Sequence, residues 1–188
     1  MSWNPESPEP SSTADLAPRI LGVDPGSLIT GWGLIGGTAG RPAWLDAGVI
    51  RLGTTRTDLA TRLCRLQREM EQLVERIRPT CSAVEAAYHG VNARSALHLA
   101  HSRGVVLAVL AGADLETREY TPATVKKAVT GNGRAPKEQV RAMVGHLLRH
   151  ELPAGPGDLS DALAVALCHA THRRHAALTA PPRRPVAR

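Results

Sequence analysis

The chain has 188 residues and a formal net charge of +6, which supports one domain with a sizeable core and favours a polyanionic partner, nucleic acid first. Three cysteines (Cys64, Cys81, Cys168) without a CxxC pair argue against a disulfide scaffold or a structural zinc site, and no stretch has the length and apolarity of a membrane span. With no Phe, two Tyr and three Trp, the chain lacks the aromatics for stacking several bases in a row, so phosphates and shape should carry most of any nucleic-acid affinity.

Residues 1–17, rich in Pro, Ser and acid, read as a disordered arm and are too polar for a signal peptide. Cysteine usage and the absence of a span place the protein in the cytoplasm. Strands are expected at 19–24, 30–36 and 43–51, with turns at Pro25-Gly26 and Gly36-Gly37. From Asp58 the residues Leu59, Leu63, Leu66, Met70, Leu73 and Ile77 form one apolar stripe on a long helix that Pro79 ends. CSAVE, 81–85, reads as a short buried strand.

A second helix is expected over 93–111; its latter half is apolar nearly all round and belongs in a core or an interface. LETREY, 115–120, reads as a strand, and helices follow near 122–130, 136–149 and 158–175, with Pro136 suited to a first helical position. Three strands followed by strands alternating with helices argue for a mixed sheet covered by helices. The folded domain is 18–177, and 178–188 reads as a disordered basic tail.

Four carboxylates sit at element ends. Asp24 closes the first strand, Glu85 closes SAVE, and Asp158 and Asp161 open the last helix on one face. Singly, each has a plain structural use: an Asx turn for Asp24, a strand reaching solvent for Glu85, an N-cap and an acidic first turn for the last two. Together they can form a cluster if the first and fourth strands lie parallel and adjacent. Two charges about 4 Å apart repel by about 4 kcal/mol at an effective dielectric of about 20, so such a cluster needs protons or cations. An all-oxygen acidic site suits Mg²⁺ or Mn²⁺, and a two-ion site suits in-line phosphoryl displacement. A basic protein with an acidic metal site has the profile of a nuclease.

ILGVDPGSLITGWGLI, VEAAYHGVNARSALHLAHSRG, EYTPATVKKAVTGNGRAPKEQV and GPGDLSDALAVALCH carry a further signal. In these segments, over about residues 19–175, the chain resembles the bacterial RuvC-type Holliday junction resolvases of the RNase H-like superfamily. The resemblance implies an α/β fold: a central mixed five-stranded sheet, its first three strands an antiparallel meander and the rest parallel, with helices on both faces. It implies a homodimer that resolves four-way DNA junctions by paired symmetric nicks, leaving 5′-phosphate and 3′-hydroxyl ends, in recombination and repair.

By position, Asp24, Glu85, Asp158 and Asp161 match the family's metal-binding catalytic acids, holding two Mg²⁺ or Mn²⁺ ions. Lys137 matches a lysine that supports cleavage, and Lys126 one that binds DNA. Tyr88 stands where the family uses a ring against junction bases, and His89 and Arg94 flank that loop as contacts to backbone phosphate. A RuvA–RuvB branch-migration complex is the implied protein partner. His169, His172 and His175 recur at helical spacing and are not read as metal ligands.

Rival readings fit less well. An actin-like or sugar-kinase phosphotransferase has a similar DPGSLITGWG loop but needs two such lobes. A RuvX/YqgF-type nuclease lacks the central segment with Tyr88. A non-catalytic junction-binding module has no use for all four acids, and GNGRAPK lacks Walker spacing.

Overall fold

Ile20–Val23 is apolar on both faces, as expected of a strand covered by helices on either side. The computed structural model describes residues 17–38, 40–86, 93–152 and 157–179, without the side chains of 93–95 and 158. It places that run at the centre of a five-stranded sheet of order β3-β2-β1-β4-β5. β1 (Ile20–Asp24), β2 (Ile29–Thr38) and β3 (Arg41–Arg51) form an antiparallel meander. β4 (Cys81–Glu85) pairs parallel with β1, and β5 (Thr117–Tyr120) pairs parallel with β4. The mixed sheet expected from the sequence is the one observed.

The strand limits shift for local reasons. β2 and β3 run further than expected because Gly37↔Pro42 and Thr38↔Arg41 continue the pairing into the hairpin. β5 starts at Thr117 rather than 115 because the chain turns through Asp114 at φ 54° and the Leu115 N–H is bonded to the Leu110 carbonyl at 3.1 Å.

The helices are α1 (Leu59–Ile77), α2 (Ala93–Gly112), α3 (Pro122–Thr130), α4 (Lys137–Leu148) and α5 (Asp158–Thr179). Asp58 caps α1 by accepting the Thr61 N–H at 2.9 Å. Pro136 is the extended N-cap of α4, not its first helical residue, and α5 runs four residues past the expected 175.

α1 and α2 cover one face of the sheet over Leu21, Val23, Leu34 and Val84; α3, α4 and α5 cover the other over Ile20, Ile35 and Ala83. On α1 the stripe is buried from Leu66 onward, but Leu59 and Leu63 are only half-buried, and Arg62 takes the buried place one turn earlier. α2 is not enclosed by core as its composition allowed. Ser102, Val106 and Leu110 are buried, Val105, Leu107 and Val109 are partly covered, and Leu97 is 60% exposed.

α5 lies against β1 with no room between backbones. A Cβ at Gly22 would stand 2.1 Å from the Ala162 carbonyl oxygen and 2.7 Å from the Ala166 nitrogen. Gly22→Ala is therefore expected to lower folding stability by about 3 kcal/mol, the upper end for overpacking, read as a shifted urea midpoint at constant slope. An unchanged midpoint would show that α5 shifts without cost.

Candidate active site

β1 and β4 are parallel neighbours with Val23 opposite Val84, so Asp24 and Glu85 leave the sheet side by side. Adjacent strands lie about 4.8 Å apart, and the two carboxyl groups are joined by a hydrogen bond. The first turn of α5 brings Asp161 to this edge. α3 contributes Lys126 and the start of α4 contributes Lys137. All five side chains line one cavity of about 270 Å³.

Lys137 Nζ donates to Asp161 Oδ2 at 3.1 Å; the Lys137 side chain is 73% exposed and that of Asp161 18%. Glu85 titrates at about 7, raised chiefly by burial and then by the Asp161 charge, while Lys137, the Asp24 hydrogen bond and Lys126 pull it down. A carboxyl near 7 exchanges its proton readily at neutral pH and accepts a cation in its place.

The backbone of Asp158 opens α5 one turn before Asp161, but its side chain lies outside the described residues. Tyr88 and His89 also lie outside them, as does the side chain of Arg94 at the start of α2. The sequence thus predicted five residues that the fold brings together, and four remain beyond the described side chains.

The donor set of Asp24, Glu85 and Asp161 is all oxygen and buried enough to need neutralising, which fits a hard divalent cation. Among the described residues no group of three His, Cys, Asp or Glu side chains is already arranged to hold an ion. Asp161 is engaged by Lys137 instead.

The turn after Asp24 is held firmly. A Cβ at Gly26 would stand 1.8 Å from the Ile29 carbonyl oxygen, so only glycine lets the chain double back there. The Gly26 N–H donates to Thr30 Oγ1 at 3.3 Å. Arg62 Nη1 donates to the Ser27 carbonyl at 2.7 Å, anchoring the turn to α1.

Two arginines near the acids escaped the sequence reading. Arg62 had a legible signal, since it lies one turn before Leu66 on the apolar stripe, where a surface residue does not belong. Arg103 had none. It lines a second cavity of about 150 Å³ with Asp24, Glu85 and Leu99. Its guanidinium is held by Glu119, with Nε to Oε2 at 2.8 Å and Nη2 to the same oxygen.

Beneath the site, Tyr120 is level with Glu85, and its carbonyl accepts the Ala86 N–H at 2.8 Å. Its hydroxyl meets His169 Nδ1 at 2.9 Å, linking the Glu85 side of the sheet to α5. Burial pushes His169 down to about 4, so its imidazole is neutral at physiological pH. His172 stacks on the Tyr120 ring at 5.0 Å.

A family model described as Crossover junction endodeoxyribonuclease RuvC matches residues 20–169. A protein of that name from Xanthobacter autotrophicus is 46% identical over 159 residues, covering 85% of this chain and 93% of its own length. Its namesake from Moorella thermoacetica is 44% identical over 152 residues, covering 81% and 90%. Among solved structures, T. thermophilus RuvC in complex with Holliday junction substrate superposes with a TM-score of 0.78 at 30% identity, covering 84% of this chain and 96% of that one.

Proposed function

The chain belongs to the RuvC family of crossover junction endodeoxyribonucleases, and from that premise we propose that Asp24, Glu85, Asp158 and Asp161 are its catalytic, metal-binding acids. The protein is a nuclease that resolves Holliday junctions in recombination and repair. Family membership implies dependence on a divalent metal; our reading is two ions, Mg²⁺ or Mn²⁺, held by these carboxylates. The observation that carries this reading is the convergence of Asp24, Glu85, Asp161, Lys126 and Lys137, from five separate elements, on one cavity.

The ions, when bound, supply charge neutralisation and an activated water for in-line displacement at the phosphodiester. The chain's own residues do the rest. Asp24 and Glu85, fixed at neighbouring strand ends, set one side of the site, and the tight turn at Pro25-Gly26 doubles the chain back directly behind Asp24. Glu85 releases its proton near neutrality. Lys137 is exposed enough to move from Asp161 to a phosphate oxygen, and Lys126 offers a second positive charge from α3. Tyr88 is assigned to the junction bases, and His89 and Arg94 to backbone phosphate.

Residues 17–179 form the nuclease domain in this reading, since α5 carries the helix two residues past the expected limit of 177, and the rest of the arms expected at 1–17 and 178–188 lies outside the described residues. Two copies act together, one per opposed strand. The uncovered apolar flank of α2 around Leu97 supports its use between copies. RuvA–RuvB is the proposed motor partner. Among the described residues no helix is long and apolar enough to cross a membrane, and a cytoplasmic location is proposed.

The deciding experiment is cleavage of a synthetic four-way junction beside a linear duplex, with EDTA, Mg²⁺ or Mn²⁺. Paired symmetric nicks on the junction alone, and only with metal, are expected. Tight binding without cleavage under any metal would instead identify a binding module, and equal cutting of the duplex another nuclease on this fold. In the same assay Lys137→Ala is expected to weaken junction binding and to reduce the slope of log affinity against log salt by about 0.9, one phosphate contact. An unchanged slope would leave Lys137 as a partner of Asp161 only.

A further inference from the structure

A larger cavity, of about 540 Å³, opens where the β2–β3 hairpin meets the C-terminal end of α4. Strand register puts it at the far end of the sheet from the acids: Asp24 is opposite Gly31 near the start of β2, whereas the hairpin closes at Thr38↔Arg41. Arg41, His146, Arg149 and His150 line it and are exposed, and no acid is among the described residues that line it. Trp44 also lines it, its ring stacked on His150 at 4.3 Å and 18°. The Arg174 guanidinium reaches the hairpin at Gly40. None of these groups takes part in the acidic centre.

α4 joins the two places. Lys137, its first residue, lines the acidic cavity, while His146 in its last turn and its C-cap Arg149 line the basic one. Its 12 residues span about 18 Å. Lys137, Arg141 and Arg149 fall on four-residue steps along it, with Gly145 between the last two packed against His150 and Leu152. Arg141 is half-buried and also donates to the Leu152 carbonyl at 3.2 Å. A length of about 18 Å corresponds to about five base pairs of duplex, at about 3.4 Å per step along each strand.

We propose that this groove is a second DNA-backbone site, taking phosphates of a junction arm about five base pairs from the scissile position. The proposal rests on the nuclease reading above. An acidic protein segment would also suit a basic groove, but α4 leads from Lys137 at the acidic centre to Arg149 at the groove, which favours the DNA already engaged at its other end. Contacts of this kind fix the lie of the arm without reading sequence.

The test uses the full chain carrying Arg41→Gln and Arg149→Gly. Arg149 sits at φ 51°, so glycine keeps the helix end without strain and the variant should melt no lower than wild type. The dissociation constant for a long-armed junction is expected to rise about 10-fold, and the salt slope to fall by about two. Single-turnover cleavage at saturating protein should not change. Neutral methylphosphonates placed about three to eight base pairs from the crossover should cost wild type the same affinity and the variant nothing more. Normal junction binding by the variant, or losses that add, overturns the proposal and leaves the groove to an acidic protein segment. Failure of wild type to cut the junction would count against the nuclease reading instead.

Discussion

Glu85→Gln is expected to abolish junction cleavage, by about 10³-fold or more, while junction affinity stays within a few-fold of wild type; losses of this order follow removal of a preorganised group that acts on developing charge. Asp24→Asn should behave alike, because the two carboxyls form one hydrogen-bonded unit at neighbouring strand ends. The amides keep the shape and most of the hydrogen bonding, so the fold has no reason to suffer. Indeed the cluster opposes folding: Glu85 is held in its acid form by burial and by the Asp161 charge. Both variants are therefore expected to melt at or above the wild-type temperature at pH 8 in EDTA. Retained cleavage in either would remove these residues from the catalytic centre. Lost folding in both would show that the carboxyls serve the structure.

In the metal-free protein the titration of Glu85 by itself is expected to remove about 3 kcal/mol of stability as pH rises from about 4.5 to about 7. The sign follows from proton counting. Unfolded Glu85 gives up its proton near 4.5, whereas folded Glu85 keeps it until about 7, so the folded state binds more protons across that window. Its contribution is complete below 4.5 and is lost as pH climbs through the folded value. Mg²⁺ or Mn²⁺ should reverse the loss, since an ion at 100 times its dissociation constant stabilises the folded state by about 2.7 kcal/mol. His169 acts in the opposite sense. Its folded value lies near 4 against an ordinary 6.5, so its contribution is present above 6.5 and fades as pH falls toward 4. Thermal melts of wild type and Glu85→Gln across pH 4–8 separate the two: the variant should gain stability from pH 4 to about 6.5 through His169 alone, whereas in wild type Glu85 offsets most of that gain. Superimposable pH profiles for the two proteins would exclude Glu85 as a contributor.

Much of the fold was legible locally. The alternation of strands and turns, the helical stripe from Leu66 to Ile77 and the acidic first turn of α5 are short-range patterns, and each produced its element within a few residues. The misreadings were tertiary in origin. Leu59 and Leu63 carry the period of a core face, yet the sheet does not reach far enough to cover them fully, and Arg62 is buried there because the turn at Ser27 needs a donor. The latter half of α2 reads as apolar nearly all round, but a helix on the outside of the sheet buries only one face in the core of its own chain.

What the sequence determined by itself about this protein is the list of parts: four acids at element ends, a strand that terminates on Asp24 and a glycine turn behind it, and basic residues on the helices that follow. These are set by chain-local chemistry, the alternation of apolar residues and the turn preferences of Pro and Gly. Only the tertiary structure decided which parts meet. Asp24 and Glu85 are 61 positions apart and become neighbours only because β4 crosses over to pair with β1. Asp161 joins them because Gly22 lets α5 lie directly on the sheet. The raised pKa of Glu85, the grip of Arg62 on the turn and the course of α4 from the acids to the basic groove all depend on burial and distance between remote segments. Such quantities are properties of the packed molecule, and no periodicity in the chain encodes them.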